Sequence, residues 1–133
     1  MSDWPVGLST GCFYQTSLFT CLEDIRNGGF GLIEVCSSPA HLDYHDLKAV
    51  DQAARMIESL GIEAYSLHAP FAEEIDITSL DERRRDHARA ELLRATEAAG
   101  RLGVRYLVIH PLHGARRARR YLRDISSRLR QYR

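Results

Sequence analysis

The sequence predicts an α/β fold of four successive strand–helix units around parallel strands. Three observations predict it: short apolar runs alternate with helical patterns, glycines close the helical segments, and the runs after those glycines repeat at a fixed spacing.

The first strand is expected near Val6-Gly7-Leu8-Ser9-Thr10. A helix follows, with Ser17 or Thr20 as its cap, Glu23 placed for a capping box with Thr20, and Leu18, Leu22 and Ile25 on one face before Gly28-Gly29. The second strand is Leu32-Ile33-Glu34-Val35, followed by a polar loop through Ser37-Ser38-Pro39. The second helix starts near Asp46, turns Val50, Ala54, Ile57 and Leu60 inward, and stops at Gly61, where a left-handed cap suits glycine. Ala64-Tyr65-Ser66-Leu67 is the third strand. In the third helix Ser79 and Glu82 form a capping-box pattern, and Ala88, Leu92, Ala95, Ala99 and Leu102 repeat at helical spacing up to Gly103. Tyr106-Leu107-Val108-Ile109 is the fourth strand.

Composition bounds the class. With 133 residues, 44% hydrophobic and 27% charged, the chain is long enough for one domain with a core. The N-terminus lacks the basic and apolar regions of a signal peptide, and the longest aliphatic stretch, Leu107-Val108-Ile109, is far too short for a membrane span, so the cytoplasm is the expected compartment. Three cysteines, Cys12, Cys21 and Cys36, without CxxC spacing, suggest buried reduced thiols and neither a disulfide framework nor a thiolate zinc knot. Eight arginines and one aspartate follow Gly114, so residues 1–114 form the body and 115–133 an Arg-rich tail. Ala118, Leu122, Ile125 and Leu129 are spaced for a fourth helix; a basic nucleic-acid arm and a segment foreign to the body are the other readings of the tail.

The repeat locates a candidate site. Gly61 to His68 and Gly103 to His110 each run from a helix-ending glycine to a histidine seven positions on, and Gly29 to Cys36 has the same spacing. Equal spacing places Cys36, His68 and His110 at one height, at the carboxyl ends of three strands, where α/β barrels carry their chemistry. Residues two apart share a strand face, so Glu34 and Ser66 are expected to point into the lumen with the histidines. A carboxylate there is costly unless it is paired or binds something, which makes Glu34 a site candidate. An imidazole at a strand end can ligate a metal, hydrogen-bond a sugar hydroxyl or transfer a proton.

Other chemistry-bearing residues are weaker candidates. His113 follows His110 in a loop with Gly114 and offers a second contact. His41 and His45 form an HxxxH pair, but the segment holds Pro39 and precedes the helix cap, so they read as solvated loop histidines. His87 reads as surface, Cys36 as core, and Glu73-Glu74-Ile75-Asp76 as a solvated acidic loop.

The order of these motifs resembles the xylose isomerase-like TIM barrels, the superfamily that joins sugar-phosphate isomerases and epimerases with endonuclease IV. The resemblance rests on Phe30-Gly31-Leu32-Ile33-Glu34-Val35, Leu67-His68-Ala69-Pro70-Phe71, Ile77-Thr78-Ser79, and Ala98-Ala99-Gly100-Arg101-Leu102-Gly103 before Val108-Ile109-His110-Pro111, and covers residues 6–114. It implies a partial (βα)8 barrel, about four units where a whole barrel of roughly 250 residues has eight. It implies a sugar or sugar-phosphate substrate bound by Glu34, Ser66, His68 and His110, and a divalent metal (Zn, Mn or Mg) for which His68 and His110 are the ligand candidates. The acidic residues that move the proton in the isomerase branch belong to later strands. The expectation is therefore a sugar isomerase or epimerase-like chain that is truncated and incomplete alone, with no catalytic residue assigned.

Two readings stand beside it. In endonuclease IV, an enzyme of abasic-site DNA, histidines at the positions of His68 and His110 resemble zinc ligands, but the acidic body here disfavours nucleic acid. Alternatively, the chain is a non-catalytic half-barrel that forms a homodimer or joins a complementary half, because its outer strands lack neighbours.

Overall fold

The computed structural model describes residues 4–112 and, beyond them, 119, 122, 123, 126–128 and 130–132. Four parallel strands form one sheet in the order β1 (Leu8–Ser9), β2 (Leu32–Cys36), β3 (Glu63–His68), β4 (Tyr106–Val108). Helices α1 (Leu18–Asn27), α2 (Leu47–Ser59) and α3 (Glu82–Leu102) connect consecutive strands. Sequential parallel neighbours joined by helices give half of a TIM barrel.

The helices form where apolar residues recur at helical spacing. Leu18, Leu22 and Ile25 of α1 are buried, as are Val50 and Ile57 of α2 and Ala88, Leu92, Ala95, Ala99 and Leu102 of α3. They meet Ile33 and Val35 of β2 and Leu67 of β3 in one core cluster. On α2, Ala53 is fully buried while Ala54 and Leu60 are only partly so, which turns the inward face slightly from the expected one.

Caps differ in detail from expectation. Ser17 caps α1 without a side-chain bond, and Thr20 lies inside the first turn, donating to the Ser17 carbonyl at 2.7 Å, so it forms no capping box with Glu23. Asp46 caps α2 through its carboxylate, which accepts from the Lys48 and Ala49 amides. The cap of α3 is Asp81 and not Ser79: its carboxylate accepts from Arg83 N–H at 2.8 Å and Arg84 N–H at 3.3 Å. Gly61 and Gly103 follow α2 and α3 with φ of +64° and +70°, the left-handed turn that glycine adopts most readily.

Register corrects the expectation of equal heights. Cys36 pairs with His68, but His68 pairs with Val108, so His110 lies two residues past that level and beyond the end of β4. A barrel sheet must stagger its strands to close, and distance from a helix stop does not encode that stagger. A second irregularity lies between β2 and β3: Ile33 pairs with Ala64 and Glu34 with Ser66, leaving Tyr65 as an extra residue. Ala64 thereby shares the helix-covered side with Ile33, while Ser66 shares the lumen side with Glu34. The first strand is shorter than expected, because Thr10 already starts a 3-10 turn through Phe13.

In the tail, residues 122–123 and 126–128 are helical, and Leu122 packs partly buried against the core. His113, Ala118, Ile125 and Leu129 lie outside the described residues.

Candidate functional site

The lumen side of the sheet holds a carboxylate between two serines. Ser9 donates to Glu34 Oε1 at 2.9 Å, and Ser66, itself buried, donates to Oε2 at 3.2 Å. Three adjacent strands supply the three residues, and their pairings, Ser9 with Glu34 and Glu34 with Ser66, set them side by side. Each carboxylate oxygen accepts one serine hydroxyl and keeps acceptor capacity on the open side of the sheet. Ser9 was missing from the candidates, although the alternation argument that selected Ser66 applies equally to β1.

Above this layer stand the two histidines. Their rings stack with centroids 4.8 Å apart and planes inclined by 27°, and the exposed Phe71 meets His110 edge-on at 5.4 Å. His68 Nδ1 lies 3.0 Å from the Ala69 carbonyl, which can only accept. The proton therefore sits on Nδ1, and Nε2 presents its lone pair. The structure thus brings together all four expected residues: Glu34 and Ser66 in one layer, His68 and His110 beyond it.

The implied metal is a separate matter. A catalytic zinc takes three protein ligands. His68 and His110 supply two imidazoles, and among the described residues no group of three His, Cys, Asp or Glu side chains is arranged to hold an ion. The described donor set does not fit a metal site by itself.

Cys36, level with His68, is half-buried; burial and then the Glu34 charge push its thiol above the ordinary cysteine range. It stays protonated and is no nucleophile. All three cysteines are free, with Cys21 buried but Cys12 exposed, against the expectation for the latter.

Two loop histidines depart from the solvated reading. His41 is buried: Nδ1 donates to the Thr16 carbonyl at 2.6 Å, and Nε2 lies 2.9 Å from Thr10 Oγ1, which also accepts from Cys36 N–H at 2.9 Å. Because a carbonyl cannot donate, Nδ1 carries the proton and Thr10 donates to Nε2. This chain ties the loop after β1 to the end of β2 beside the site. His45 is exposed but holds the buried Glu91 carboxylate at 2.7 Å, together with Tyr44 and with Arg94 at 2.6 Å. In the acidic loop, Asp76 is buried and accepts from Thr78 N–H at 2.8 Å. His87 is exposed, as expected.

Among the described residues no helix is long and apolar enough to cross a membrane. No curated protein matches the chain. Solved structures do. The IOLI protein with a bound zinc atom superposes with a TM-score of 0.75 at 19% identity, over 97% of this chain and 49% of that one. D-psicose 3-epimerase from Clostridium cellulolyticum H10, solved with D-tagatose, gives 0.73 at 15% identity, over 95% and 48%. A xylose isomerase domain protein from Planctomyces limnophilus gives 0.70 at 16% identity, over 97% and 51%. At these identities the likeness is one of fold, and this chain spans about half the length of each. The family model described as xylose isomerase-like TIM barrel matches residues 22–132. With the match running from α1 to the C-terminal turn, the chain belongs to the family of xylose isomerase-like TIM barrels.

Proposed function

We propose that this chain forms the sugar-binding wall of an isomerase or epimerase-type barrel, with Glu34, Ser66, His68 and His110 contacting the substrate and Ser9 holding Glu34. The observation that carries this is the Glu34 carboxylate fixed by Ser9 and Ser66 beneath the stacked His68 and His110 rings. A polyhydroxylated substrate needs acceptors and donors at fixed positions on an apolar shelf. Glu34 accepts hydroxyl protons, His68 Nε2 accepts another, and the exposed Phe71 and His110 rings provide the shelf. The proposal assigns binding and orientation to these side chains and no acid–base pair.

The neighbours support the substrate class, since D-psicose 3-epimerase and L-ribulose 3-epimerase are among them. The bound zinc of the IOLI protein supports a divalent metal at the mouth. In that reading His68 and His110 contribute to holding the ion, which supplies Lewis acidity beside the substrate carbonyl, and the remaining ligands come from outside the described residues. Turnover requires the rest of a barrel around the open mouth. The tail reads as the fourth helix of the half-barrel, supported by the family match through residue 132.

Equilibrium titration of the chain with ketohexoses and their phosphates, followed through histidine ring resonances, tests the reading. Saturable shifts of His68 and His110 that disappear in Glu34→Ala support it. Shifts that persist unchanged in Glu34→Ala would remove Glu34 from the site.

A further inference from the structure

We infer that the open side of this half-barrel is an interface for a second copy of the chain, with β4 of each copy running beside β1 of the other around a twofold axis parallel to the strands. The inference rests on the half-barrel architecture and not on the sugar reading, so the two can fail separately.

The distribution of exposed apolar side chains locates the interface. Trp4 and Val6 lead into β1 and are 79% and 69% exposed; Phe13 and Tyr14 follow it; Tyr65 and Tyr106 lie on β3 and β4, with Tyr106 55% exposed. Among the described residues, no large exposed hydrophobic lies on α1, α2 or α3. The helical side is therefore finished as a water-facing surface, whereas the sheet side and its edges are not. Parallel sheets occur almost only with both faces covered, and here helices cover one.

Geometry selects the occupant. The strand order β1-β2-β3-β4 leaves β1 and β4 as edges, and all four strands run in one direction. A twofold axis along that direction places β4 against the partner's β1 in parallel, and the same operation makes the second junction identical to the first. Four strands and their symmetry copies make eight, the number in a closed (βα)8 barrel. The edge strands are only two and three residues long, so backbone pairing contributes little and apolar burial carries the association. Five partly exposed aromatics of about 200 Å² each supply on the order of 500 Å² of the roughly 800 Å² per partner in a standard interface. Closure also sets the His68 and His110 pairs of the two copies around one mouth.

Light scattering coupled to size exclusion, across a hundredfold range of concentration, tests this. The expected result is a dimer of the 15.1 kDa chain that dissociates on dilution, with no larger species. Tyr106→Arg and, separately, Val6→Arg are expected to weaken the dimer at least tenfold while the circular dichroism spectrum stays unchanged. Both sites are exposed, so the folded monomer tolerates either change. A monomer throughout the range would overturn the proposal, as would masses growing without limit, which mark open edge-to-edge addition. A dimer unaffected by both variants would place the interface elsewhere and equally overturn it.

Discussion

His68 and His110 stack at 4.8 Å although they are not partners in the sheet, since His68 pairs with Val108 and His110 lies beyond the strand end. The contact is made across a two-residue offset by side chains at the mouth, where His68 is half-buried and His110 exposed. Rings placed this way contribute little to the core and remain accessible to a ligand.

His68→Ala should therefore leave stability within about 1 kcal/mol of the parent, as for other changes outside a packed core. Urea unfolding measures it. The His110 ring resonances should shift in the same variant, because their stacked neighbour is gone. A loss of several kcal/mol would make His68 a structural residue.

Ser66→Ala removes the buried donor to Glu34 Oε2 and should cost about 1 kcal/mol, the usual scale for one hydrogen bond to a half-buried carboxylate. Ser9→Ala removes the donor to Oε1 from a more exposed position and should cost less. Because both act on Glu34, the double variant should be non-additive, which a double-mutant cycle reads directly.

His41→Ala breaks a buried chain linking Thr16, Thr10 and the Cys36 amide, and leaves a cavity. The expected cost is roughly 2–3 kcal/mol. Nitrogen NMR of the parent should show the neutral ring protonated at Nδ1. A ring protonated at Nε2 would contradict the hydrogen-bond assignment.

Glu91 links stability to pH. Burial pushes its carboxyl up, but hydrogen bonds from Tyr44 and His45 and the charges of His45 and Arg94 outweigh it, and the net pKa lies below the ordinary glutamate range. A carboxyl depressed on folding contributes stability that is complete above its unfolded pKa and is lost as the pH falls through the folded one. Stability should thus decline from roughly pH 5 downward, and Glu91→Gln should flatten that decline while lowering stability at pH 7 by about 2 kcal/mol. Melting temperatures of the two proteins between pH 7 and pH 3 check both statements.

These predictions mark where sequence was informative. Local periodicity carried the helices, because Leu18, Leu22 and Ile25, or Ala88, Leu92, Ala95 and Ala99, need only their own spacing to show a buried face. Alternation along β2 gave Glu34 its side of the sheet. Ser66 came out on that side as well, but through the extra residue at Tyr65, which strict alternation does not contain. Register was not legible, since the offset between β3 and β4 depends on how strands stagger in three dimensions. Ser79 was a plausible cap two residues early, and only backbone geometry gives that role to Asp81. His41 was misread because its partners Thr10 and Thr16 lie 31 and 25 residues away. Tyr44, His45 and Glu91 likewise meet across 46 or 47 residues, a distance that no local pattern announces.

The central claim is that Glu34, Ser66, His68 and His110 form one sugar-binding surface, and the histidine ring spectrum under sugar titration tests it most directly. The account predicts that a ketohexose or its phosphate shifts the His68 and His110 resonances along one saturable curve, leaves the buried His41 unmoved, and does neither in Glu34→Ala. Absence of any shift at His68 and His110 up to saturating sugar, or equal shifts in His41 and the exposed His87, would contradict it.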